Sequence, residues 1–542
     1  MGRTNLPTAD CIPITAAPGL SRLFLDYCDG SDAVRPFYGP SSPDWQRRPE
    51  APAHWPELVK LLAAQNPSAA AAPAIESLRQ GAGVVVTGQQ VALFGGPLFT
   101  PHKAATAVAR ARQATSAGYP HAAVFWLASE DHDFAEVNHV TFPARRDLRK
   151  LVYTAGPDTP RPVGAITLDE SITPLVDQAW ELLGSSDAMD ALAEAYRPGR
   201  TFAQAFAEFY GKVFAAQGLL IIDAQSREIH RMGAPVLRAA IECADEFHAR
   251  LLERNRALEA AGYHVQVAVI GNQAETSSLL FLVDERSGSR IALKRMRESA
   301  AEPNGWWKAG RQRYSNDELL AILAAEPERI SPAALLRPVF QDFLLSTSLT
   351  IGGPAEIAYF AQSAVLFEQI LGRMTPVHPR LSATLVEPAI AELLHKHDLA
   401  PERVFSETRE SLTQLLAARA IPIEGKRKLA SAGNALNAEL EGLLAWMSSL
   451  DAGLGRSGET AASKMRYQMN RLRRLAANFQ LQREASLARH AEAITHALYP
   501  EGGLQERLHG AAYYFARYGS ELAGRLAATA EKLCPGHAML WL

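Results

Sequence analysis

The segment from Ser129 to Val140 carries a dense set of reactive side chains. Six ionisable residues fall within ten positions: Glu130, Asp131, His132, Asp133, Glu136 and His139. Neighbouring carboxylates raise one another's pKa values, which suits a general base that takes a proton from an amine. We predict that the site residues of this segment are Asp131, His132 and Asp133 for catalysis and Glu130, Asn138 and His139 for substrate binding.

Two other interpretations of this segment stay open. The same residue types can bind a metal ion, although no cysteine lies nearby, and we expect no metal here. The segment could also be a polar loop whose carboxylates cap the next turn.

The elements before this segment predict where it lies. Residues 121–128 form an apolar run typical of a buried strand. A short strand at 84–86 and a helix over 100–117 precede that run, so we expect a β-loop-α-β unit with parallel strands and a right-handed crossover. Ligands of open α/β sheets bind at the carboxyl ends of the strands. The charged segment is therefore predicted to form one wall of a ligand cleft.

The glycine-rich turn between the first predicted strand and that helix is a second candidate site. Thr100 is predicted as the N-cap and Pro101 as the first helical residue. Free backbone N–H groups at a helix start attract anions. His102 and Lys103 would add donors and positive charge there, unless they form only a solvated pair. We predict a catalytic role for His102 and substrate binding by Gln89, Gln90, Thr100 and Lys103. The turn has neither a P-loop nor a GxGxxG pattern.

A third candidate begins where an apolar run at 349–351 gives way to Gly352 and Gly353. Glu356, Tyr359 and Gln362 follow at intervals of three, so they share roughly one helix face. We predict that all five residues bind substrate. The alternative is a solvated helix face.

Composition excludes several classes of protein. The chain has 542 residues, 47% of them hydrophobic, and a net charge of −3, which gives no electrostatic basis for binding nucleic acid or an anionic membrane. No apolar run approaches the ~20 residues of a membrane span, and no secretory start is visible. The four cysteines have no repeated spacing, which argues against structural zinc and a disulfide framework. A reducing cytoplasm is the expected location.

Three regions are predicted along the chain: an N-terminal extension at 1–75, an α/β core at 76–387, and a helical region at 388–542. Inserted subdomains are expected at about 145–215 and 260–330, with short strands at 265–269, 279–283 and 290–293, and a long helix over 227–262. Heptad spacing at 429–450 and 465–479 predicts an antiparallel helical hairpin. We expect an exposed, dimerising coiled-coil arm, with intramolecular packing as the alternative.

Several stretches together resemble one family, the bacillithiol biosynthesis cysteine-adding enzymes. They occur in the family's order and cover nearly the whole chain: TGQQxxLFGGPLFTxHK, FWLASEDHDFxEVNH, LLIIDA, LRPVFQDFLLSTSLTIGGPAEIAYFAQ, PRLSATLVEP and LYPEGGLQER. The resemblance implies a ligase that joins L-cysteine to glucosaminyl-malate to give bacillithiol. It also implies a Rossmann-like core with inserted connecting segments, and a C-terminal coiled-coil domain that forms a homodimer.

The core is also distantly similar to class I aminoacyl-tRNA synthetases. Thr100 to Lys103 occupies the place of their His-x-Gly-His element. Ser129 to His132 occupies the place of their Gly-x-Asp-x-His-Gly segment. Gly352 to Gln362 is similar to the GGxDLxFPHHENExAQ run of the cysteine enzyme. The zinc-binding Cys and His and the Lys-Met-Ser-Lys-Ser loop are absent. Arg380 and Ser382 are the nearest substitute for that loop, and the likeness implies ATP or another nucleotide bound by them.

The resulting hypothesis is an amide-forming ligase. Joining a free carboxylate to an amine is uphill in water, so we expect cysteine to be activated as an acyl-adenylate or acyl-phosphate before the glucosamine amine attacks. The alternatives are a non-catalytic scaffold of the same pathway, acting through its coiled-coil arm, and an aminoacyl-tRNA synthetase. The near-neutral charge and the missing motifs count against the synthetase.

Overall fold

The computed structural model describes residues 10–39, 45–144, 147–271, 275–296, 305–483 and 485–542. A five-stranded parallel sheet lies at its centre. Its strands are β1 (Gly83–Gln89), β2 (His121–Leu127), β3 (Leu220–Asp223), β4 (Leu349–Gly352) and β5 (Val377–Pro379). The order across the sheet is β5-β4-β1-β2-β3, and each neighbouring pair is parallel. This is the Rossmann order, in which the ligand crevice opens where the strand order reverses, between β1 and β4.

Both faces of this sheet are covered, which explains why its strands are continuously apolar. Successive side chains of a strand point to opposite faces. Val84 and Val86 pack into one hydrophobic core, and Val85 packs into another on the opposite face. All seven residues of β2 are buried. In a strand that is buried on both faces, no side chain faces solvent, so its sequence does not alternate apolar with polar residues and is an apolar run.

The flanking helices divide between the two faces. They are α1 (Phe99–Ser116), α2 (Phe202–Val213), α3 (Arg227–Glu242), α4 (Arg337–Leu345) and α5 (Pro354–Leu371). Helices α1 and α2 cover the face that includes Val85, whereas α3, α4 and α5 cover the opposite face. The predicted α/β Rossmann-like core is confirmed.

Two predicted elements between β3 and β4 are wrong. The helix expected over 227–262 ends at Glu242, and a second helix, Ala244–Ala260, follows after Cys243. The strand expected at 265–269 is an irregular segment. Gln362 explains the second error, because its side-chain amide accepts a hydrogen bond from Val267 N (2.9 Å) and donates one to Val267 O (2.9 Å). A side chain thus satisfies the backbone groups that a neighbouring strand would otherwise bind.

Two insertions interrupt the core. The first contains an antiparallel hairpin of His139–Pro143 with Leu148–Val152, followed by helices Thr173–Leu183 and Asp187–Ala195. The second contains helix Asn316–Ala325 and an antiparallel sheet. The strands of that sheet are Glu275–Val283, Arg290–Met296, Trp306–Ala309, Gln312–Tyr314 and Ile330–Pro332.

The two ends of the chain meet in a small sheet. Strand His537–Trp541 lies between Asp10–Ile12 and Ala383–Val386. Beside it, a disulfide joins Cys11 to Cys534 across 523 residues of sequence. The cysteine spacing argued only against a disulfide framework, and it did not predict this single pairing. Spacing could not reveal it, because the two cysteines become neighbours only when the terminal strands pair. The N-terminal helices are Arg22–Cys28, Trp55–Gln65 and Ala72–Arg79.

Removing this disulfide should lower the free energy of unfolding by about 2–4 kcal/mol, since a cross-link over a long loop restricts the unfolded chain. The measurement is urea denaturation of the wild-type protein and of Cys534→Ser, each with and without reductant. Reductant should lower the free energy of unfolding of the wild-type protein and should not change that of Cys534→Ser. Cys28→Ser, which removes a free thiol, serves as the control. Equal stability of all three proteins would disprove the stabilising role.

The C-terminal region is helical, and its centre is a hairpin. Helices α6 (Ile423–Leu450) and α7 (Ala452–Arg483) are separated only by Asp451, which accepts hydrogen bonds from Gly453 N (2.7 Å) and Leu454 N (2.9 Å). The turn of the predicted hairpin is therefore a single capping residue, Asp451. Other helices of this region are Pro388–Lys396, Arg409–Ala420, Ser486–Leu498, Ala511–Tyr518 and Glu521–Glu531. No helix in the described residues is both long and apolar enough to cross a membrane.

Candidate active site

Lys103 ties α1 to the carboxyl end of β1. Helical side chains lean toward the helix start, and this brings Lys103 Nζ to Gly88 O (2.8 Å) and Gln89 Oε1 (2.9 Å), where it donates hydrogen bonds. The ammonium also forms an ion pair with Glu356. The lysine is only 4% exposed, so its charge depends on these partners.

Glu356 joins this lysine to the carboxyl end of β4. It is the third residue of α5, and its Oε2 accepts a hydrogen bond from Gly353 N (2.7 Å). Burial alone would raise the pKa of Glu356, but the charges of Lys103 and Arg337 lower it below its usual value. A Cβ at Gly353 would lie 3.4 Å from Glu356 Oε2 and 3.8 Å from Lys103 Cε. The ion pair therefore lies at the crevice between β1 and β4.

Arg337, a residue that the sequence did not single out, begins α4 and adds a second cation. It donates a hydrogen bond to the Tyr359 hydroxyl (2.6 Å). Tyr359 contributes most to the raised pKa of Arg337, and the negative charges of Glu356 and Asp131 add to it against the effect of burial. The only sequence signal was a lone arginine in an apolar stretch, Leu335 to Leu345.

Asp131 brings the charged segment into this cleft. Gln90, just after β1, donates a hydrogen bond to Asp131 Oδ2 (2.7 Å), and His132 N (2.7 Å) and Asp133 N (3.3 Å) donate to Oδ1. Burial would raise the pKa of Asp131, but these hydrogen bonds and the charge of Arg290 lower it, so the raised pKa expected from neighbouring carboxylates is wrong for Asp131. Asp131 is therefore an ionised carboxylate close to Arg337.

Arg290 is another residue that the sequence did not indicate. It reaches the site from the second insertion, donates to His132 Nδ1 (3.2 Å) and lies over the Phe281 ring at 3.8 Å. An arginine can only donate, so His132 Nδ1 is the acceptor and its ring proton is on Nε2. Burial and Arg290 lower the pKa of His132. The imidazole is thus neutral, with Nε2 as a donor.

The remaining residues of the charged segment point in separate directions. Asp133 caps the short helix Phe134–Val137 by accepting from Glu136 N (3.1 Å). Asn138 donates to Tyr153 O (3.0 Å), and its Oδ1 lies 3.3 Å from Nδ1 of His139. No group of three or more His, Cys, Asp or Glu side chains able to hold a metal occurs in the described part of the chain.

Glu130 turns away from the cleft and pairs with His230 of α3, another residue that sequence reasoning missed. The distance between Glu130 Oε1 and His230 Nε2 is 2.6 Å, and both residues are buried. His230 Nδ1 lies 2.9 Å from Ile330 O. Burial lowers the pKa of His230, but the carboxylate of Glu130 more than offsets this and raises it. The pair fixes the start of the charged segment to α3.

This pair predicts a pH dependence of stability. Because the pKa of folded His230 is raised above its unfolded value near 6.5, its contribution is complete below about pH 6.5 and disappears as pH rises through the folded pKa. The contribution is about 1.4 kcal/mol for each unit of pKa difference. Thermal melts from pH 5 to 9 should show this loss in wild type and in the exposed control His264→Gln, but not in His230→Gln. Parallel curves for all three would contradict the ion pair.

The predicted helix start at Thr100 needs correction. Helix α1 begins at Phe99 with Leu98 as N-cap, so Thr100 lies inside the first turn and is fully buried. His102 is also fully buried, with Nδ1 3.2 Å from Glu506 Oε2, and burial lowers its pKa. The catalytic role proposed for His102 stays a prediction, and its burial argues against direct contact with substrate.

Arg380 and Ser382 meet at the same glutamate. Arg380 donates to Glu506 Oε1 (2.6 Å), Ser382 Oγ donates to that oxygen (3.2 Å), and Ala383 N donates to Oε2 (2.9 Å). Glu506 keeps a pKa well below its usual value because Arg380 and His102 more than offset its burial. The charge of Arg380 is thus already paired, and nucleotide binding by Arg380 and Ser382 stays a prediction.

The structure separates the predicted residues by position. One group shares the crevice: Gln89, Gln90, Lys103, Asp131, His132, Gly352, Gly353, Glu356 and Tyr359. Arg380 borders the crevice, because its Nε would lie 3.6 Å from a Cβ at Gly353, and it is paired with Glu506. A second group makes its contacts outside the crevice: Thr100, His102, Glu130, Gln362 and Ser382. Asp133, Asn138 and His139 make local contacts within the charged segment and with the hairpin that follows it. Cations and carboxylates that alternate within one crevice suit a zwitterionic substrate, with the carboxylate near Lys103 or Arg337 and the ammonium near Asp131.

Comparison with known proteins agrees with this architecture. Residues 8–381 match the family model "Bacillithiol biosynthesis BshC, N-terminal Rossmann-like domain", and residues 383–542 match "Bacillithiol biosynthesis BshC, C-terminal coiled-coil domain". A relative from Koribacter versatilis named "Putative cysteine ligase BshC" is 41% identical, covering 98% of this chain and 99% of the relative. Relatives of the same name from Solibacter usitatus and Salinibacter ruber are 34% and 31% identical over at least 94% of each chain. The chain belongs to the bacillithiol biosynthesis BshC family.

Proposed function

We propose that this protein is a ligase that joins the carboxylate of L-cysteine to the amine of glucosaminyl-malate, forming bacillithiol. Membership of the BshC family and the ligase names of the relatives support the reaction class. The observation that carries the proposal is the placement of Asp131 beside Arg337 and the Lys103–Glu356 pair, at the crevice of a Rossmann-type sheet.

Asp131 is the proposed proton acceptor for the attacking amine. The glucosamine nitrogen must lose a proton to become a nucleophile. His132 is oriented as a donor by Arg290, so it is not set to take that proton. Asp131 is ionised, and its two oxygens retain acceptor capacity beyond the bonds from Gln90 and the backbone. His132 is then placed to orient a substrate oxygen.

The cations have the complementary role. An activated carboxylate gains negative charge on its oxygen when the amine attacks, and fixed donors in a water-poor site stabilise that charge. Arg337 uses one of its five N–H donors on Tyr359. ATP, or another nucleotide, would supply the activation by forming the acyl-adenylate of cysteine with release of pyrophosphate, or its acyl-phosphate with release of the nucleoside diphosphate. Attack of the amine would then release the nucleoside monophosphate or phosphate. The free donors of Arg337 fit a phosphate or carboxylate oxygen.

The test is reconstitution of the reaction from pure components. Purified protein is incubated with L-cysteine, glucosaminyl-malate and, in separate samples, each common nucleoside triphosphate, and the amide product is detected by mass spectrometry. We expect product with ATP. Absence of product under every nucleotide condition would contradict the proposed activity. Turnover only after addition of another pathway protein would favour the scaffold alternative.

We also propose that the protein is a homodimer joined through the α6–α7 hairpin. Leu440, Leu444 and Ala462 form a small core between the two helices. A second apolar set stays exposed along the hairpin: Leu443, Trp446, Leu450, Leu454, Met465, Leu472, Leu475 and Phe479. An apolar surface of this extent is typical of an interface.

A charge placed in that surface should separate the dimer. Trp446→Glu combined with Leu475→Glu would bury two carboxylates in the interface, so we expect a monomer in light scattering at concentrations where wild type is dimeric. Ser463→Glu, at an exposed polar position of α7, should leave the dimer intact. Unchanged mass of the double variant would disprove this interface.

A further inference from the structure

A cavity of about 660 Å³ lies beside β5, the edge strand of the central sheet next to β4. One wall is β5 with its flanking turns, and another is α1 around Thr106 and Arg110. The segments at 24–39 and 529–536, from the two ends of the chain, complete it. Cavities of this volume are typical of small-molecule sites.

The charges that line this cavity are all of one sign. Its ionisable side chains include three arginines and one histidine, Arg35, Arg110, Arg380 and His378, and no Asp or Glu lines it. Arg35 is paired with Asp32 (2.9 Å) and Arg380 with Glu506 (2.6 Å). This leaves Arg110 and His378 as the basic lining groups that form no ion pair within the described residues.

Arg110 is the stronger of these two features. It is only 6% exposed, and its terminal nitrogens donate to the side chain of Gln113 and to Ala530 O. Its Nε has no hydrogen-bond partner among the described residues. Burial lowers the pKa of Arg110, and the charge of Glu531 offsets this only in part. A buried guanidinium without a paired anion is costly, and an anion in the cavity would remove that cost.

His378 faces the same space. Its imidazole forms no side-chain hydrogen bond with the described residues, and burial together with the charge of Arg110 lowers its pKa to about 4. The other charged lining groups, Arg35 and Arg380, are also cationic, and Cys28 is a thiol whose pKa is raised to about 12 by burial. No described lining group therefore supplies the negative charge that Arg110 lacks.

We propose that this cavity is a second ligand site, which binds a small organic anion through Arg110 and His378. The rest of the lining is mainly apolar and aromatic, including Phe24, Tyr27 and Tyr38. The hydroxyls of the two tyrosines are already used on Val377 O and Ile357 O, so their rings present apolar surface. The ligand class is thus a carboxylate or phosphate on an apolar body.

The cavity and the crevice share helix α1, so a ligand in the cavity contacts the same helix that carries Lys103. Binding of that ligand does not depend on the proposed function. Lys103, Thr106 and Arg110 are spaced three and four residues apart, so they lie on one face of α1. Thr106 Oγ1 also accepts a hydrogen bond from the backbone N–H of Leu381 (2.8 Å), another residue of the cavity lining.

The test uses two probes that differ only in the anionic group, benzoate and phenyl phosphate. Each is titrated into the full-length protein by calorimetry, and the His378 ring signals are followed by NMR in the unmodified chain. We expect one probe or both to bind with an upward shift of the His378 pKa, and the tighter probe identifies the anionic group. Arg110→Gln should weaken that binding at least tenfold, whereas Arg112→Gln, an exposed neighbour on α1, should not.

Two results would overturn the proposal. One is the absence of any His378 response to either probe at millimolar concentration, a result that needs no variant and so does not depend on whether Arg110→Gln folds. The other is equal affinity of wild type and folded Arg110→Gln. Binding that survives Lys103→Met confirms that the probes occupy the cavity and not the crevice.

Discussion

Asp131→Asn is expected to lower kcat by about 10²–10⁴-fold while the protein remains folded, because general base catalysis contributes on this order. Asparagine keeps the shape of the side chain, and its one remaining side-chain oxygen can still accept from Gln90 or from the backbone of the following turn. What it loses is the negative charge and the ability to take a proton. KM for the amine substrate should rise less than kcat falls, since part of the lost interaction is made only in the transition state.

Steady-state kinetics across pH would test this assignment. The pKa of Asp131 is lowered in the folded protein, so activity that depends on its ionised form should persist well below neutral pH before it falls. Asp133→Asn is the matched control, because Asp133 caps a short helix and is more exposed. Full activity of Asp131→Asn, or an equal loss in both variants, would show that Asp131 is not the base.

Lys103→Met is expected to reduce both activity and stability. The change leaves the partly buried Glu356 beside Arg337 without its closest cation, and breaking a buried ion pair from one side costs at most about 3–5 kcal/mol. It also removes the link from α1 to Gly88 and Gln89 at the end of β1. We expect a clear drop in the midpoint of denaturation and loss of at least about 10²-fold in kcat/KM, the range seen when one charge-stabilising donor is removed.

A double-mutant cycle separates these two effects. Glu356→Gln in the Lys103→Met background removes the orphaned charge, so the double variant should recover stability but not activity. Lys60→Met, at an exposed position, controls for loss of a lysine. Additive destabilisation by the two changes would contradict a direct Lys103–Glu356 interaction.

The sequence predicted those site residues that lie close along the chain to a strand end or a helix start. The apolar runs and glycine turns placed β1, β2 and β4, and with them Gln90, Asp131, Lys103 and Glu356, because each lies within a few residues of a strand end or helix start. Parallel strands then bring those ends to one edge of the sheet.

The parts that were missed depend on distant partners. Arg290 comes from an inserted sheet whose strands carry no signal of what they face. The burial of His102 follows from Glu506, 404 residues away, and the Cys11–Cys534 bond from the pairing of two terminal strands. Such contacts arise from tertiary packing between distant segments, and the hydrophobic pattern within a short window of sequence does not predict them.

We propose that the amide bond forms in the crevice between β1, β4 and the charged segment. The most direct test is a single-turnover measurement in which the cysteinyl amide is quantified by mass spectrometry in wild type and in Asp131→Asn, at equal concentrations of folded protein. We expect product in wild type and at least about a hundredfold slower formation in the variant. Equal rates in the two proteins would contradict it.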